Sequence, residues 1–403
     1  MNIVEINTCN FGSTGNIMLQ VADVAKKHGH KVWVAYPKYK MNLSKQVDNC
    51  IYIGNDTAFS IHKKIAAYLG LNGCGSFFST LRFLREIDRL EPDLIQLHNL
   101  HNCYINLPLL FMYLKKKNIP VVWTLHDCWS MTGQCAHFDM IGCQKWKNGC
   151  YECPQIHLYP SSHVDQTRLM WNLKRNWFCG IKRLTLVTPS RWLAERVKES
   201  YLKNYPVQVI YNGIDLDVFK FRSNDIRKKY NIPDNVYILL GVAFGWGARK
   251  GLDVFIELSR RFASKPYQII LVGTDDKTDQ SLPSNIISIH RTQNQIELAE
   301  IYSAADVFVN PTREEVLGLV NIEANACGTP VVTFNSGGSP ECISERSGSI
   351  VDQDDIDGLE KTIIGICETK PFSRETCRRQ AELFDMNTKF SEYLTLYEAS
   401  QQK

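Results

Sequence analysis

Two glutamates in the C-terminal third of the sequence have the type and spacing to bind a polyhydroxylated ligand. Glu315 follows the apolar run Val307 to Asn310, and Glu323 comes after seven intervening residues. A carboxylate accepts two hydrogen bonds in a fixed geometry, which suits a pair of sugar hydroxyls. Gly318, between them, is predicted to start a helix whose backbone N–H groups are open to a phosphate. The alternative is an ordinary surface, because acidic residues are favoured near helix starts.

Histidines follow two apolar runs in the N-terminal half. His126 and Asp127 come after Val121 to Leu125, and a second group follows Asp93 to Leu97: His98, Asn99 and His101. Open α/β sheets bind ligands at the carboxyl ends of their strands, and an imidazole can relay a proton or donate to a hydroxyl. We expect His126 at an active-site edge, and the second group with Asp127 beside an acceptor. The alternative is that these are structural or polar surface residues.

The elements that position these residues alternate between strands and helices. The sequence begins with a strand at residues 3–6, a turn at Gly12 to Gly15, a helix from Ile17 to Lys27 and a strand from Lys31 to Tyr36. Similar units recur on both sides of Pro206, which predicts α/β domains with parallel sheets covered on both faces. We predict domains at 1–206 and 207–380 and a C-terminal helix at 381–403 that packs back on the N-terminal domain, with Arg374 to Tyr397 helical throughout. Ligands would bind in the crevice between two facing, doubly wound domains.

The overall composition limits the class of protein. The 403 residues fit two domains, and 44% apolar with 22% charged residues is typical of a globular protein. A net charge of +4 gives no support for nucleic acid as a partner. No apolar run reaches the ~18 residues that span a bilayer, and the N-terminus carries Glu5 where a signal peptide would be basic. We therefore expect a cytoplasmic protein whose 14 cysteines are thiols or metal ligands.

The sequence after Glu323 carries a family resemblance. Glu323-Ala-Asn-Ala-Cys-Gly-Thr-Pro-Val-Val332 and Gly337-Gly-Ser-Pro-Glu341 resemble the signature of family 4 glycosyltransferases of the GT-B fold. Further matches in order and spacing are Gly12 to Gly15, Thr188 to Trp192, Tyr211 to Asp215 and Tyr302 to Thr312. The resemblance is to bacterial enzymes of capsule, exopolysaccharide or O-antigen assembly. It implies retaining transfer from a nucleoside-diphosphate sugar to a glycan or polyprenyl-linked glycan acceptor, with no cofactor and no catalytic metal.

The resemblance also implies roles for individual residues. Glu323 would hold the ribose hydroxyls and Glu315 the hydroxyls of the donor sugar, while the Gly318 and Leu319 amides would meet the phosphates. Gly12 and Gly15 would lie near the diphosphate, and His126 near the transferred sugar. Lys250 matches the lysine that neutralises the leaving group, a stabilisation of developing charge. Where the family has an arginine five residues earlier this sequence has Gly245, so we expect Arg249 to serve as the second cation.

Five cysteines fall within residues 128–154, together with three glycines and a proline. A long loop of this kind needs something to hold it, and four thiolates around zinc would do so. The best candidates are Cys135, Cys143, Cys150 and Cys153, because Cys128 adjoins His126. Free thiols, or a redox or disulfide role, are the alternatives.

The stretch from Arg168 to Leu184 mixes basic and aromatic residues. Leu169, Leu173, Trp177 and Ile181 share one predicted helical face, so the helix could rest on an anionic membrane surface. Peripheral contact with the inner face of the cell membrane would suit a lipid-linked acceptor. The alternative is an amphipathic helix packed on its own domain.

Three other functions are compatible with the predicted architecture. A sugar-nucleotide 2-epimerase shares the fold class but would not be expected to carry the Glu315 and Glu323 block. A non-catalytic sugar-nucleotide-binding subunit would explain the missing arginine before Lys250. A retaining phosphorylase would need a lysine for pyridoxal phosphate, and nothing in the sequence marks one.

Overall fold

The chain folds into two compact units. The computed structural model describes residues 1–44 and 47–401, so the end of the predicted helix at 381–403 lies outside the described residues. One unit comprises Met1–Tyr211 with Lys389–Lys403, and the other comprises Asn212–Thr388. Each unit contains one parallel sheet with helices between successive strands. This is the predicted fold class, because strands joined by helical crossovers must pair in parallel.

The first unit contains a seven-stranded sheet in the order β3-β2-β1-β4-β5-β6-β7. Its strands are β1 (Asn2–Ile6), β2 (Lys31–Lys38), β3 (Cys50–Asn55), β4 (Leu94–Leu97), β5 (Val121–Thr124), β6 (Leu184–Thr188) and β7 (Val207–Val209). Its helices are α1 (Gly12–Lys27), α2 (Asp56–Leu69), α3 (Phe77–Leu90), α4 (Leu107–Lys117), α5 (Thr167–Phe178) and α6 (Arg191–Lys198). Strands β4 and β5 are buried at every position, as expected for a parallel sheet covered on both faces.

The second unit contains a six-stranded sheet in the order β10-β9-β8-β11-β12-β13. Its strands are β8 (Tyr237–Val242), β9 (Tyr267–Val272), β10 (Ile286–Ile289), β11 (Val307–Asn310), β12 (Val331–Phe334) and β13 (Gly348–Val351). Its helices are α7 (Ile226–Lys229), α8 (Leu252–Arg261), α9 (Asp276–Asp279), α10 (Gln295–Ala304), α11 (Leu319–Ala326), α12 (Ile356–Thr369) and α13 (Arg374–Glu382). Because β8 and β11 are parallel neighbours, the segments that follow them leave the sheet at the same edge.

The predicted continuous helix from Arg374 to Tyr397 is interrupted. Helix α13 ends at Glu382, and the last helix, α14, runs over Met386–Gln401. Between them the backbone pairs with an earlier segment, since Ile214 N–H donates to Phe384 O at 2.9 Å and Met386 N–H donates to Ile214 O at 3.1 Å. Asp385 then accepts from the Thr388 N–H, as an N-cap does. Tertiary pairing therefore overrides a helical sequence pattern here.

The predicted glycine turn near the N-terminus is also different in the structure. Gly12 to Gly15 form the first turn of α1 instead of preceding it. A Cβ on Gly15 would lie 2.7 Å from the Asn10 carbonyl carbon, so the helix start packs closely on the backbone before it. Over the described residues, no helix has both the length and the apolar character needed to cross a bilayer.

Candidate active site

A lysine and a glutamate meet at the carboxyl edge of the second sheet. Lys250 ends the 3-10 turn Ala248–Lys250 that follows β8, and Glu315 lies in the loop after β11. Lys250 Nζ forms an ion pair with Glu315 Oε2. Both side chains are largely but not fully buried, at 17% and 22% exposed. The pair therefore remains open to a ligand while its charges are weakly screened.

The loop that carries Glu315 is held from several sides. Arg249 donates to the Glu314 carbonyl oxygen at 3.1 Å, and the Arg249 carbonyl oxygen accepts from Arg313 N–H at 2.9 Å. The Arg313 side chain binds Asp253 in a bidentate pair and Asp354 at 2.7 Å. Arg313 is a residue that the sequence analysis missed. It fixes the Glu315 loop against the segment that carries Lys250.

Helix α11 begins beside this ion pair with no side-chain cap. Gly318 occupies its N-cap position with φ 82°, a left-handed conformation that glycine adopts without cost. Ser339 Oγ is fully buried, has no hydrogen-bond partner among the described atoms, and lies 3.3 Å from where a Gly318 Cβ would be. The backbone N–H groups of Gly318 and Leu319, which were predicted to bind phosphate, thus lie at a helix start without a side-chain cap. Such helix starts are common sites for anions.

Glu323 projects from the second turn of α11. Its Oε2 accepts from the Tyr302 hydroxyl at 3.0 Å. Burial raises the pKa of Glu323 to about 7, and the Tyr302 hydrogen bond only partly opposes this. A carboxyl group with a pKa raised by burial is a frequent property of functional sites. Lys250, Arg249, Glu315, Gly318, Leu319 and Glu323 all belong to the second unit.

In the first unit, His126 is the exposed end of a buried polar chain. His126 Nε2 lies 3.0 Å from His98 Nδ1, and the two rings are stacked with an interplanar angle of 11°. His98 Nε2 in turn lies 3.3 Å from Glu5 Oε2. The side chains of His98 and Glu5 are 0% exposed, whereas His126 is partly exposed. The expected direct contact of His98 with an acceptor is therefore not possible in this structure, because both of its ring nitrogens face protein groups.

A second histidine relay lies beside the first. His101 Nε2 bonds Asp127 Oδ2 at 2.8 Å, and His101 Nδ1 bonds the Tyr159 hydroxyl at 2.8 Å. Asp127 also accepts from Trp129 N–H at 2.8 Å. Burial opposes ionisation of Asp127, yet His101 and these hydrogen bonds hold its pKa at about 2. The hydrogen bond therefore fixes His101 and Asp127 to each other, and both residues line a small cavity together with His98 and His126.

The remaining predicted residues of the first unit lie near the carboxyl end of β1. Asn99 N–H donates to Asn7 Oδ1 at 3.3 Å, and Asn99 O accepts from the Tyr104 hydroxyl at 2.9 Å. A Cβ on Gly12 would have no atom within 4 Å, so the backbone there is open to a ligand.

The predicted zinc ligands lie in the cysteine-rich segment between β5 and α5. Among the described residues, no group of three or more His, Cys, Asp or Glu side chains is arranged to hold a metal ion, so the geometry gives no support to Cys135, Cys143, Cys150 and Cys153 as zinc ligands. The Cys135 and Cys153 thiols instead hydrogen-bond each other, which lowers the pKa of Cys153 to about 7. Cys150 Sγ accepts from Gly133 N–H at 3.1 Å.

A buried lysine organises that segment. Lys174 Nζ donates to the carbonyl oxygens of Trp129 and Thr132 and lies 3.6 Å from the centre of the Trp129 ring. Burial lowers the pKa of Lys174 to about 7. The helix that carries it, α5, buries Met170, Trp171, Lys174 and Phe178, whereas Leu169 on the predicted apolar face is 45% exposed. Helix α5, which was predicted to rest on a membrane, is thus packed against its own unit. The face that it buries lies beside the apolar face that the sequence predicted.

Two family models match this chain. The model described as Glycosyltransferase Family 4 matches residues 14–218, and the model described as Glycosyl transferases group 1 matches residues 236–369. The chain belongs to glycosyltransferase family 4. The epimerase and phosphorylase alternatives receive no support from these matches.

Curated relatives agree with this class. The chain is 25% identical over 274 residues to WcaC of Escherichia coli K12, named as a glycosyl transferase of colanic acid biosynthesis, with 66% of this chain and 65% of the relative covered. It is 29% identical over 193 residues to D-inositol 3-phosphate glycosyltransferase of Mycolicibacterium smegmatis, with 44% of each covered. The chain therefore matches less than two thirds of the length of these relatives.

Solved structures match over nearly the whole chain. Sucrose-phosphate synthase from Thermosynechococcus elongatus superposes with a TM-score of 0.69 at 19% identity, covering 99% of this chain and 98% of that one. Anabaena HepE in complex with UDP gives 0.69 at 17% identity, covering 99% and 100%. At these identities the likeness establishes the fold alone, which is the predicted GT-B fold.

Proposed function

We propose that this chain transfers a sugar, with retention of anomeric configuration, from a nucleoside-diphosphate sugar to a hydroxyl of a glycan acceptor. The observation that carries the proposal is the Lys250–Glu315 ion pair beside the uncapped start of α11. A cation, free helix N–H groups and two carboxylates on adjoining segments match the parts of such a donor. Solved relatives named as complexes with UDP or UDP-glucose support this donor class.

Each part of the donor has an assigned partner. The diphosphate binds the N–H groups of Gly318 and Leu319 and the charge of Lys250, with Arg249 as the second cation. Glu315 exchanges its ion pair for hydroxyls of the sugar. Glu323 accepts hydrogen bonds from two ribose hydroxyls. These bonds replace the hydration that its carboxylate loses on burial. Gly12, Gly15 and His126 keep the roles that the family resemblance implies for them, the two glycines with the diphosphate and His126 with the transferred sugar.

The reaction follows from these assignments. The bond between the anomeric carbon and the diphosphate oxygen breaks, and a bond to the acceptor oxygen forms on the same face. The acceptor proton passes to the departing phosphate oxygen, so the products are the glycoside and a nucleoside diphosphate. Lys250 and Arg249 stabilise the charge that develops on the leaving group, which makes a divalent ion unnecessary in this scheme.

We propose that the acceptor is a lipid-linked glycan of surface-polysaccharide synthesis. The protein would bind it at the cytoplasmic face of the membrane. The relation to WcaC supports the pathway class. Helix α3 supports the membrane contact better than α5 does. Phe78 is 83% exposed, and Arg82, Arg85 and Arg89 follow it at helical spacing on one exposed face, with Glu86 as an acid beside them. An aromatic tip with a net positive stripe suits an anionic lipid surface.

One experiment tests the transfer itself. Purified protein is incubated with a panel of nucleotide sugars and a mixture of polyprenyl-linked acceptors, and product linkage is read by NMR. We expect one donor to give an α- or β-product with the configuration of the donor. Inversion would overturn the retaining assignment. If the protein binds a donor but neither transfers its sugar nor hydrolyses it, the alternative of a non-catalytic subunit would be favoured.

A further inference from the structure

We propose that Glu5 and His98 are positioning residues that fix the tautomer of His126, presenting its Nδ1–H as a hydrogen-bond donor toward the substrate. The inference rests on the proposed function, in which His126 lies beside the transferred sugar. It gives a role to Glu5, a buried acid on β1 that has no function in the transfer scheme above.

The geometry is a linear chain from the core to the site. Glu5 Oε2 lies 3.3 Å from His98 Nε2, and His98 Nδ1 lies 3.0 Å from His126 Nε2. Neutral imidazole carries one N–H, so each ring must donate at one nitrogen and accept at the other. The position of one proton therefore determines the positions of the others. The hydrogen bonds can run either from Glu5 toward His126 or from His126 toward Glu5.

Burial decides that direction. Glu5 is 0% exposed, its Oε1 has no hydrogen-bond partner among the described atoms, and burial raises its pKa well above the usual range. Burial likewise holds the pKa of His98 well below its usual range and that of His126 at about 4. Burial disfavours the charged form of each group, so we infer that all three are neutral in the folded protein. The protonated Glu5 donates to His98 Nε2, His98 Nδ1–H donates to His126 Nε2, and His126 keeps its proton on Nδ1.

The surroundings of His126 agree with a donor role. Besides His98, Asp127 and His101 are titratable groups that act on it, and their opposing influences are weaker than that of burial. Asp127 is already engaged with His101 and with Trp129 N–H. His126 would thus act as a neutral donor to a sugar hydroxyl, and the acceptor proton would not pass through it.

Nitrogen-15 NMR of the histidines tests the chain in the wild-type protein. We expect His126 and His98 to be Nδ1–H tautomers at pH 7, with the His126 signal assigned by its loss in His126→Gln. The buried His62 serves as an assignment control through His62→Gln. An Nε2–H tautomer or an imidazolium at His126 would overturn the inference while leaving sugar transfer intact. Absence of transfer in the wild type would instead overturn the proposed function.

Two substitutions at Glu5 separate positioning from packing. Glu5→Gln keeps a neutral donor, so we expect an unchanged His126 tautomer and unchanged kcat. Glu5→Leu removes the donor, so His126 should become a mixture of tautomers and kcat should fall about tenfold, the usual factor for one hydrogen bond, with KM for the donor unchanged. A single Nδ1–H tautomer retained in Glu5→Leu would contradict the proposal. If this variant does not fold, the wild-type tautomer decides.

Discussion

Lys250 and Glu315 lie 65 residues apart in sequence, yet they form an ion pair across the segments that follow two neighbouring parallel strands. In the free protein the pair satisfies both charges where water is partly excluded. Under the proposed function, an arriving diphosphate would offer Lys250 a stronger anion, and Glu315 would then be released to accept sugar hydroxyls. The pair would therefore couple phosphate binding to the availability of the group that orients the sugar.

Removal of the lysine should slow transfer far more than it weakens donor binding. We expect Lys250→Ala to lower kcat by about a hundredfold or more, as loss of one preorganised electrostatic group does in other enzymes. Lys265→Ala is the matched control, because Lys265 pairs with Glu360 on the same unit away from the proposed site. Steady-state kinetics and donor calorimetry are the measurements. Normal turnover in Lys250→Ala would remove the leaving-group assignment.

The loop that carries Glu315 should be sensitive to a single methyl group. Gly337 has φ 55°, and a Cβ on it would overlap the Glu315 carbonyl oxygen. We expect Gly337→Ala to displace Glu315 and to lower donor affinity at least tenfold, with a loss of stability above about 1 kcal/mol. Gly365→Ala is the control, since that glycine lies within α12 with open space around it and should be neutral or stabilising by about 0.5–1 kcal/mol. Equal donor affinity and melting temperature in the two variants would contradict this.

The sequence predicted the second unit well because local patterns determine most of it. Strand β11 and the start of α11 at Gly318 lie where the apolar run and the glycine indicate. Strands β3 and β13 were missed. The β3 strand alternates buried and exposed residues over only part of its length, and β13 contains a single buried apolar residue, Val351. Short edge strands of this kind are defined by their neighbours in the sheet and not by their own composition.

The polar partners within the core could not be predicted from spacing. Glu5 in β1 did give a signal, as an acid in an otherwise apolar strand, but only the fold shows that it faces His98. Lys174 belongs to the basic and aromatic stretch that was predicted to rest on a membrane, but its bonds to two carbonyl oxygens place it in the core. The cysteine spacing predicted zinc but gave no sign of the aromatic and Lys174 contacts in the same segment. Such contacts join residues distant in sequence.

The basic face of α3 predicts salt-dependent lipid binding. We expect Arg82→Glu with Arg85→Glu to reduce sedimentation with vesicles of phosphatidylglycerol and phosphatidylethanolamine at least tenfold, because each basic residue near an anionic surface contributes about 1 kcal/mol. Lys203→Glu with Lys220→Glu carries the same change of charge at exposed positions elsewhere and should bind like the wild type. Soluble-acceptor transfer should be unaffected in both. Equal loss in both variants would indicate a general charge effect and not a docking face.

The raised pKa of the partly buried Glu323 predicts a stability that falls as pH rises. Its pKa of about 7 in the folded protein exceeds the ordinary value of 4.5, so the folded state binds the proton more tightly than the unfolded state does. Stability is therefore unaffected below pH 4.5, decreases between pH 4.5 and 7, and remains lowered above pH 7. Glu323→Gln removes the ionisation and should stabilise the free protein by up to about 3 kcal/mol at pH 8, with little effect at pH 4.5. Denaturant unfolding at the two pH values measures this difference.

The same substitution, Glu323→Gln, should weaken binding of the nucleotide-sugar donor. Under the proposed function, an ionised Glu323 would accept hydrogen bonds from two ribose hydroxyls. A glutamine amide at this position has one acceptor oxygen, so donor affinity in Glu323→Gln should fall at least tenfold. In the wild type, affinity should decrease below pH 7 as the carboxyl group is protonated. Tyr302→Phe is the control: it removes the hydrogen bond to Glu323 and leaves the carboxyl group free for ribose. A Glu323→Gln variant that is both stabilised and fully competent in donor binding would show that the buried acid serves neither fold nor nucleotide.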